Sequence, residues 1–470
     1  MKSGVTVQQA TRDFEVAGKH YRAGSYVITC NQPYRPHILD MFEPQDHPND
    51  FRYPGGPPVP PYDATGYTLA FQMGVKFDRV LDGFSGPFAP ITADLAAPLP
   101  GSLVGGDKAA GFVVSHEYND AVILSNRLMK AGAPVYWLAK PLDVPGRTLP
   151  AGALWIPNSP KARLIVATAV KELGLTAYGE KTRPTGEAYQ LKPARIALYD
   201  VYGGLMPSGW TRWLLEQFEF PYTVVHPQEL DAGNLNAKYD VILFTDGAIH
   251  KPAAIPTGPQ SAATGAGIVR AEIGAVQPKP AEIPEQYRSW LGRITAEKTI
   301  PALRAFEEAG GTIVAIGSST ALSQHFHLAV DDAETEVVKG ERVALPHEKF
   351  YIPGALLQAQ VDNTTPVAYG MPAQADVFFD NSPAFRLAPD ANLQGVSTIA
   401  WYSSGKVLRS GWAWGQGYLD NTAAALDAKV GKGHLYMFGP EIAFRGQPHG
   451  TFKLLFNSVQ YANATPVKLP

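Results

Sequence analysis

Four short, largely apolar runs constrain the fold of this chain more than any other feature. They are Arg195-Ile196-Ala197-Leu198-Tyr199, Tyr222-Thr223-Val224-Val225, Tyr239-Asp240-Val241-Ile242-Leu243-Phe244 and Thr312-Ile313-Val314-Ala315-Ile316. Each is too short for a stable helix, and each lacks the polar-apolar alternation of a strand with one wet face. Strands apolar on both faces belong to a parallel sheet covered on both sides. The intervening sequence supplies the covering layers. Trp210 to Phe218 is amphipathic, and Pro301 to Ala309 reads as a helix closed by Gly310-Gly311, glycine being the common left-handed stop. A β-rich stretch from Trp401 to Phe438 and a last helix near Thr451 to Tyr461 follow, and the Ala-, Gly- and Pro-rich region 250–300 reads as an insertion loop. Residues 191–470 are therefore expected to form a flavodoxin-like parallel α/β domain with a β-rich extension.

The first part of the chain has another rhythm. Gly4, Val7, Val16, Gly18, Ala23, Gly24 and Ile28 recur 128 residues later as Gly132, Val135, Val144, Gly146, Ala151, Gly152 and Ile156, with Lys19 echoed by Arg147. Turn glycines at fixed offsets between β-rich runs predict a duplicated hairpin. Between the copies, Tyr53 to Asp63 is too proline-dense for a helix or a central strand and reads as an extended loop. Helices are expected near Ser125–Met129, stopping at Gly132, and Lys161–Leu173, stopping at Gly174; Tyr178 to Pro193 reads as a linker. Residues 1–190 are thus expected to be a mixed α/β domain.

Charge and composition remove several function classes. The 470 residues carry a formal net charge of −3, with no basic stripe or RNA-binding aromatic motif, so nucleic acid is not an expected partner. Cys30 is the single cysteine, which excludes an internal disulfide. No run of Met1 onward has signal-peptide length, and none reaches the roughly 18–20 apolar residues of a membrane span. Val5-Thr6-Val7 enters patterned sequence at once, as at a domain border.

Several segments, taken in order, resemble one family. Gln32-Pro33-Tyr34-Arg35, Pro61-Tyr62-Asp63-Ala64-Thr65, Met73-Gly74-Val75, Tyr199-Asp200, Gly209-Trp210-Thr211-Arg212-Trp213, Gly310-Gly311-Thr312, Pro353-Gly354-Ala355-Leu356 and Phe438-Gly439-Pro440-Glu441 with Phe444-Arg445 resemble the region downstream of the catalytic domain in large bacterial zinc-carboxypeptidase-like proteins. The resemblance runs from about residue 4 to 460. It implies a class I glutamine-amidotransferase-like second domain and a periplasmic or secreted protein. It also implies a carboxypeptidase catalytic domain as partner, zinc in that domain and no cofactor in this chain. Peptide or cell-wall material is then the implied substrate class.

The residues offer their own candidates. His226-Pro227-Gln228-Glu229 fits the His-x-x-Glu spacing of a zinc site, with His325 or His327 as a third ligand; the resemblance places the family's ligands elsewhere. At the turn after the fourth run, Ser318 or Ser319 stands where an elbow nucleophile would, with His325 nearby in sequence. Ala321 replaces the second elbow glycine, and an amidotransferase would need a cysteine there. A serine- or metal-dependent hydrolase is the alternative reading. Gly203 and Gly204, with Trp210 and Arg212, follow the first run and open a helix, the usual ligand edge of an α/β sheet; Glu441 and Arg445 are candidates for the border of the same cleft. Trp412 and Trp414 would suit a sugar platform if exposed, and a packed sheet face if not.

Overall fold

The computed structural model describes residues 3–92, 99–106, 108–252 and 277–470. Of the Ala-, Gly- and Pro-rich loop expected at 250–300, residues 253–276 lie outside the described residues.

The four runs form strands β1 (Ile196–Tyr199), β2 (Tyr222–Val225), β3 (Val241–Phe244) and β4 (Thr312–Ile316), joined by β5 (Gly433–Phe438). Their spatial order is β2-β1-β3-β4-β5, parallel throughout. That 2-1-3-4-5 order is the flavodoxin-like, doubly wound arrangement. The reason lies in the alternation of burial. Ile196, Leu198, Val241, Leu243, Val314 and Ile316 enter one apolar layer with Leu214, Leu215, Leu455 and Phe456. Ala197, Tyr199, Ile242, Phe244, Ile313 and Ala315 enter the other with Leu230, Leu303 and Phe306. Helices Met206–Gln217 and Phe452–Ala462 supply the first cover, Pro227–Asp231 and Thr299–Glu308 the second. Each fully buried Val, Leu, Ile or Phe side chain contributes on the order of 1.5–3 kcal/mol, so a two-sided sheet is a strong organiser.

Beyond β5 the sheet turns antiparallel. Ala423–Val430, Val396–Trp401, Ala355–Val361 and Gln374–Phe379 extend it in that order, which is the β-rich extension and begins earlier than residue 401.

The repeat is structural. Strands Gln8–Ala10, Phe14–Val16, Lys19–Tyr21 and Tyr26–Val27 are matched by Tyr136–Leu138, Leu142–Val144, Arg147–Leu149 and Leu154–Pro157. In both copies the inner pair forms a hairpin and the outer strands pair antiparallel. Gly18 and Gly146 have φ of 73° and 85°, the left-handed conformation that a two-residue turn demands. The copies lie in different sheets, one of three strands and one of seven.

Two segments depart from the linear reading. Tyr178 to Pro193 is not a linker, because Ala177–Glu180 and Gly186–Gln190 are strands of the seven-stranded sheet. Their polar residues alternate with buried Ala177 and Ala188, a signal too short to outweigh the turn residues around it. The chain's last strand, Thr465–Leu469, returns to pair with Gly186–Gln190. In the other direction, residues 45–65 lie on the extension: Gln45 N–H donates to Ser410 Oγ at 2.9 Å, Thr65 N–H to the Gly354 carbonyl at 2.7 Å, and Trp412 Nε1–H to Asn49 Oδ1 at 2.8 Å. Helix Pro160–Leu173 is as expected, with Ser159 Oγ accepting from Ala162 N–H and Gly174 left-handed at its end.

Candidate functional site

In a doubly wound sheet the crevice opens at the C-terminal ends of the strands where the order reverses, here between β1 and β3. Asp200 follows β1 directly and is buried at 4% exposure. Its Oδ1 accepts the N–H groups of Val201 and Leu205, both at 2.8 Å, and its Oδ2 pairs with the Arg212 guanidinium. The carboxylate closes the loop and holds helix Met206–Gln217 by its first turn, where Pro207 fits. This explains why the helix starts four residues before the amphipathic stretch that predicts it. Gly203 and Gly204 have φ of 94° and 80°, and nothing stands within 4 Å of a Cβ built at either. The loop therefore faces open space.

At the end of β2, His226 Nδ1–H donates to the Asp200 carbonyl at 3.1 Å, and its ring stacks on Trp290 at 4.6 Å and 18°. Burial holds this imidazole below its ordinary pKa. Glu229 is turned to Lys238, at 2.8 Å, and to the Tyr239 hydroxyl, at 3.1 Å; the Lys238 bond lowers its pKa. His327 is exposed, with φ of 52°. Among the described residues no three His, Cys, Asp or Glu side chains group to hold a metal ion, so His226, Glu229, His325 and His327 do not converge.

The turn after β4 also differs from a nucleophile elbow. The left-handed position is Gly317, φ 60°, where a Cβ would stand 2.5 Å from Asp246 Oδ1. Asp246 accepts the Ser318 N–H at 2.8 Å, and Ser318 Oγ accepts the Gly247 N–H at 2.8 Å. Ser319 Oγ accepts from Ile249 N–H at 3.0 Å and donates to the Thr245 carbonyl at 2.6 Å. His325 Nε2 meets the His250 carbonyl at 2.9 Å rather than either serine. Both hydroxyls thus tie the β3 turn to the β4 turn, and among the described residues neither hydroxyl is hydrogen-bonded to a histidine or a carboxylate side chain.

What the edge exposes is aromatic. Trp210 and Trp213 are 38% and 45% exposed and meet edge-to-face at 6.1 Å and 85°. Met206 is 71% and Trp290 38% exposed. Arg212 pairs with an acid, as a structural role requires, but the two tryptophans are not core residues. Gly446 packs against them, since a Cβ there would lie 2.8 Å from the Trp213 ring. Arg445, φ 49°, makes a bidentate pair with Asp63 at 2.8 Å and 2.8 Å and covers the Phe444 ring at 4.6 Å. Glu441 is buried and its N–H donates to the Phe378 carbonyl at 3.0 Å. Trp412 is buried, stacked on His47 at 5.2 Å, and Trp414 donates to the Glu348 carbonyl at 2.8 Å; this is the packed-face arrangement.

Asp200 and Asp246, the two residues that organise the edge, were not among the sequence candidates. The available signal was an acid at the C-terminal end of a short apolar run followed by glycine, seen in Asp200 before Gly203-Gly204 and in Asp246-Gly247.

No family model matches the chain, and no curated protein matches it. Among solved structures it is similar to a ThuA-like protein from Bacteroides uniformis, at 11% identity over 57% of this chain and 90% of that one, TM-score 0.30. It is also similar to a GMP synthase component from Thermoplasma acidophilum, at 11% identity over 57% of this chain and 94% of that one, TM-score 0.31. PurLQS from Thermotoga maritima is similar at 15% identity over 57% of this chain and 99% of that one, TM-score 0.32. None of the three is a zinc carboxypeptidase.

Proposed function

We propose that this chain is a non-catalytic binding and scaffolding module, the accessory part of a zinc-carboxypeptidase-like peptidase, and that it holds peptide or cell-wall material on the aromatic edge of its parallel sheet. The observation that carries this reading is the pairing of exposed Trp210, Trp213 and Trp290 with serine hydroxyls already engaged in structural bonds. Aromatic side chains bring large contact area at low entropy cost, and the rigid Asp200–Arg212 pair fixes the helix that carries two of them. The resemblance of several segments to the carboxypeptidase-like family supports the choice of partner, a catalytic domain that carries its own zinc. They also support a periplasmic or secreted location.

The test is binding of oligopeptides and of insoluble peptidoglycan to the purified chain, with a Trp210→Ala/Trp213→Ala variant beside it. Saturable binding that falls at least about tenfold in the variant, with unchanged thermal unfolding, supports the reading; truncating interface tryptophans often costs about 1–2 kcal/mol or more, which is roughly that factor. Binding that ignores the double substitution removes the aromatic edge from the account.

A further inference from the structure

Strand β2 is the outer strand of the parallel sheet and, among the described residues, pairs with β1 alone. The N–H and C=O of a strand residue point to the same side, and successive residues alternate sides. Asp200 N–H donates to the Val225 carbonyl at 2.9 Å, so Val225 and Thr223 turn their main-chain groups towards β1. Tyr222, Val224 and the extended His226, with φ of −116° and ψ of 166°, therefore turn theirs away. The His226 carbonyl accepts from Glu229 N–H at 3.0 Å. Among the described residues nothing bonds the N–H and C=O of Tyr222 and Val224, or the N–H of His226. The edge thus presents main-chain groups at every second residue, roughly 6.6 Å apart.

This edge is open to solvent. Thr223 is exposed and Tyr222 and Val224 are half-buried, whereas every residue of β1 is buried. Tyr222 packs against the apolar layer beneath helix Phe452–Ala462, and its hydroxyl donates to Glu216 at 2.7 Å. Val224 shares that face, because strand side chains alternate. At the other end the Trp290 ring stacks on His226, the residue with the last free N–H. Pro221 precedes the strand and Pro227 follows it, which keeps the ladder short at both ends.

From this ladder of unpaired main-chain groups we propose that β2 takes an extended peptide as an added strand, with β-branched or aromatic side chains against Tyr222 and Val224. The inference rests on the peptide reading of the proposed function and narrows it to one conformation and one place. In strand addition the main-chain bonds supply affinity and the alternate side chains supply selectivity. A helical peptide bonds its own main chain, and a sugar chain does not present N–H and C=O along an extended backbone.

The experiment titrates the full chain by calorimetry with the peptide acetyl-Lys-Thr-Val-Thr-Val-Lys-amide and two N-methylated forms. One form is methylated on both threonine nitrogens, the other on both valine nitrogens. Because only alternate N–H groups face β2, one form is expected to bind about tenfold weaker or worse, and the other as the parent does. Val224→Pro removes an N–H that faces away from β1 and should weaken the parent about tenfold with unchanged unfolding; should that variant not fold, the methylated peptides decide alone. Parent-like binding of both methylated forms, an equal loss in both, or no saturable binding of the parent overturns the proposal. In the first two cases the aromatic-edge reading still stands if Trp210→Ala/Trp213→Ala weakens peptide binding, and falls with the proposal if it does not.

Discussion

Replacing Glu334 by glutamine should stabilise this protein at neutral pH and leave it unchanged in acid. Glu334 Oε1 has neither solvent contact nor a hydrogen-bond partner. Burial, with Asp332 adding and Lys251 opposing, pushes the carboxyl from 4.5 up to about 8. The folded state therefore keeps a proton that the unfolded state has released between those two pH values, and stability falls as pH rises through the window. At about 1.36 kcal/mol per unit the full cost is about 5 kcal/mol above pH 8 and about 3 kcal/mol at pH 7. Glutamine carries no charge to bury, so the variant gains that amount less any loss of fit. Buried Glu307 acts in the same direction, and neutral His116, held down to about 3 by burial, acts in the opposite one between its folded and ordinary values. Those groups are common to both proteins, so the difference between variant and wild type isolates Glu334. Urea unfolding followed by tryptophan fluorescence, at pH 4.5 and on either side of 8, reads it. A difference that does not change with pH, or a variant less stable at pH 7, refutes the reasoning.

Two further outcomes follow from the hydrogen bonds. Ser319→Ala strands the Ile249 N–H and the Thr245 carbonyl in a buried turn and should lower stability by about 1–3 kcal/mol, whereas Ser318→Ala should cost under about 1 kcal/mol; denaturant midpoints compare them. Asn457→Leu removes the acceptor of His116 Nε2 and the donor to the Val367 and Tyr369 carbonyls, and an unfolding free energy lower by about 3 kcal/mol or more is expected.

The doubly wound sheet was legible because its strands are buried on both faces, and a run such as Val241–Phe244 leaves no other role for itself. The hairpin repeat was legible because its turns need left-handed residues, and glycine shows where those are. Strand Gly186–Gln190 was hidden because it pairs on one side with Tyr136–Leu138 and on the other with Thr465–Leu469, the far end of the chain; local sequence does not record pairings across such distances. The same holds for Asp63 and Arg445, whose ion pair joins a proline-rich loop to a left-handed turn. At the candidate site, the exposed position of the loop could be read from its place after β1. The exposure of Trp210 and Trp213 could not, because an amphipathic helix with aromatics on one side looks the same whether that side is covered or bare. Ser318 and Ser319 looked like nucleophiles at the level of position; only the partners of their hydroxyls separate a fastener from a catalyst.

In the proposed function these residues bind without catalysing. Metal content after zinc loading, measured together with hydrolysis of C-terminal peptide bonds by the purified chain, tests it most directly. No stoichiometric zinc and no turnover are expected. Stoichiometric zinc that is lost in His226→Ala, or hydrolysis that is lost in Ser318→Ala, would contradict it and make the parallel sheet an enzyme.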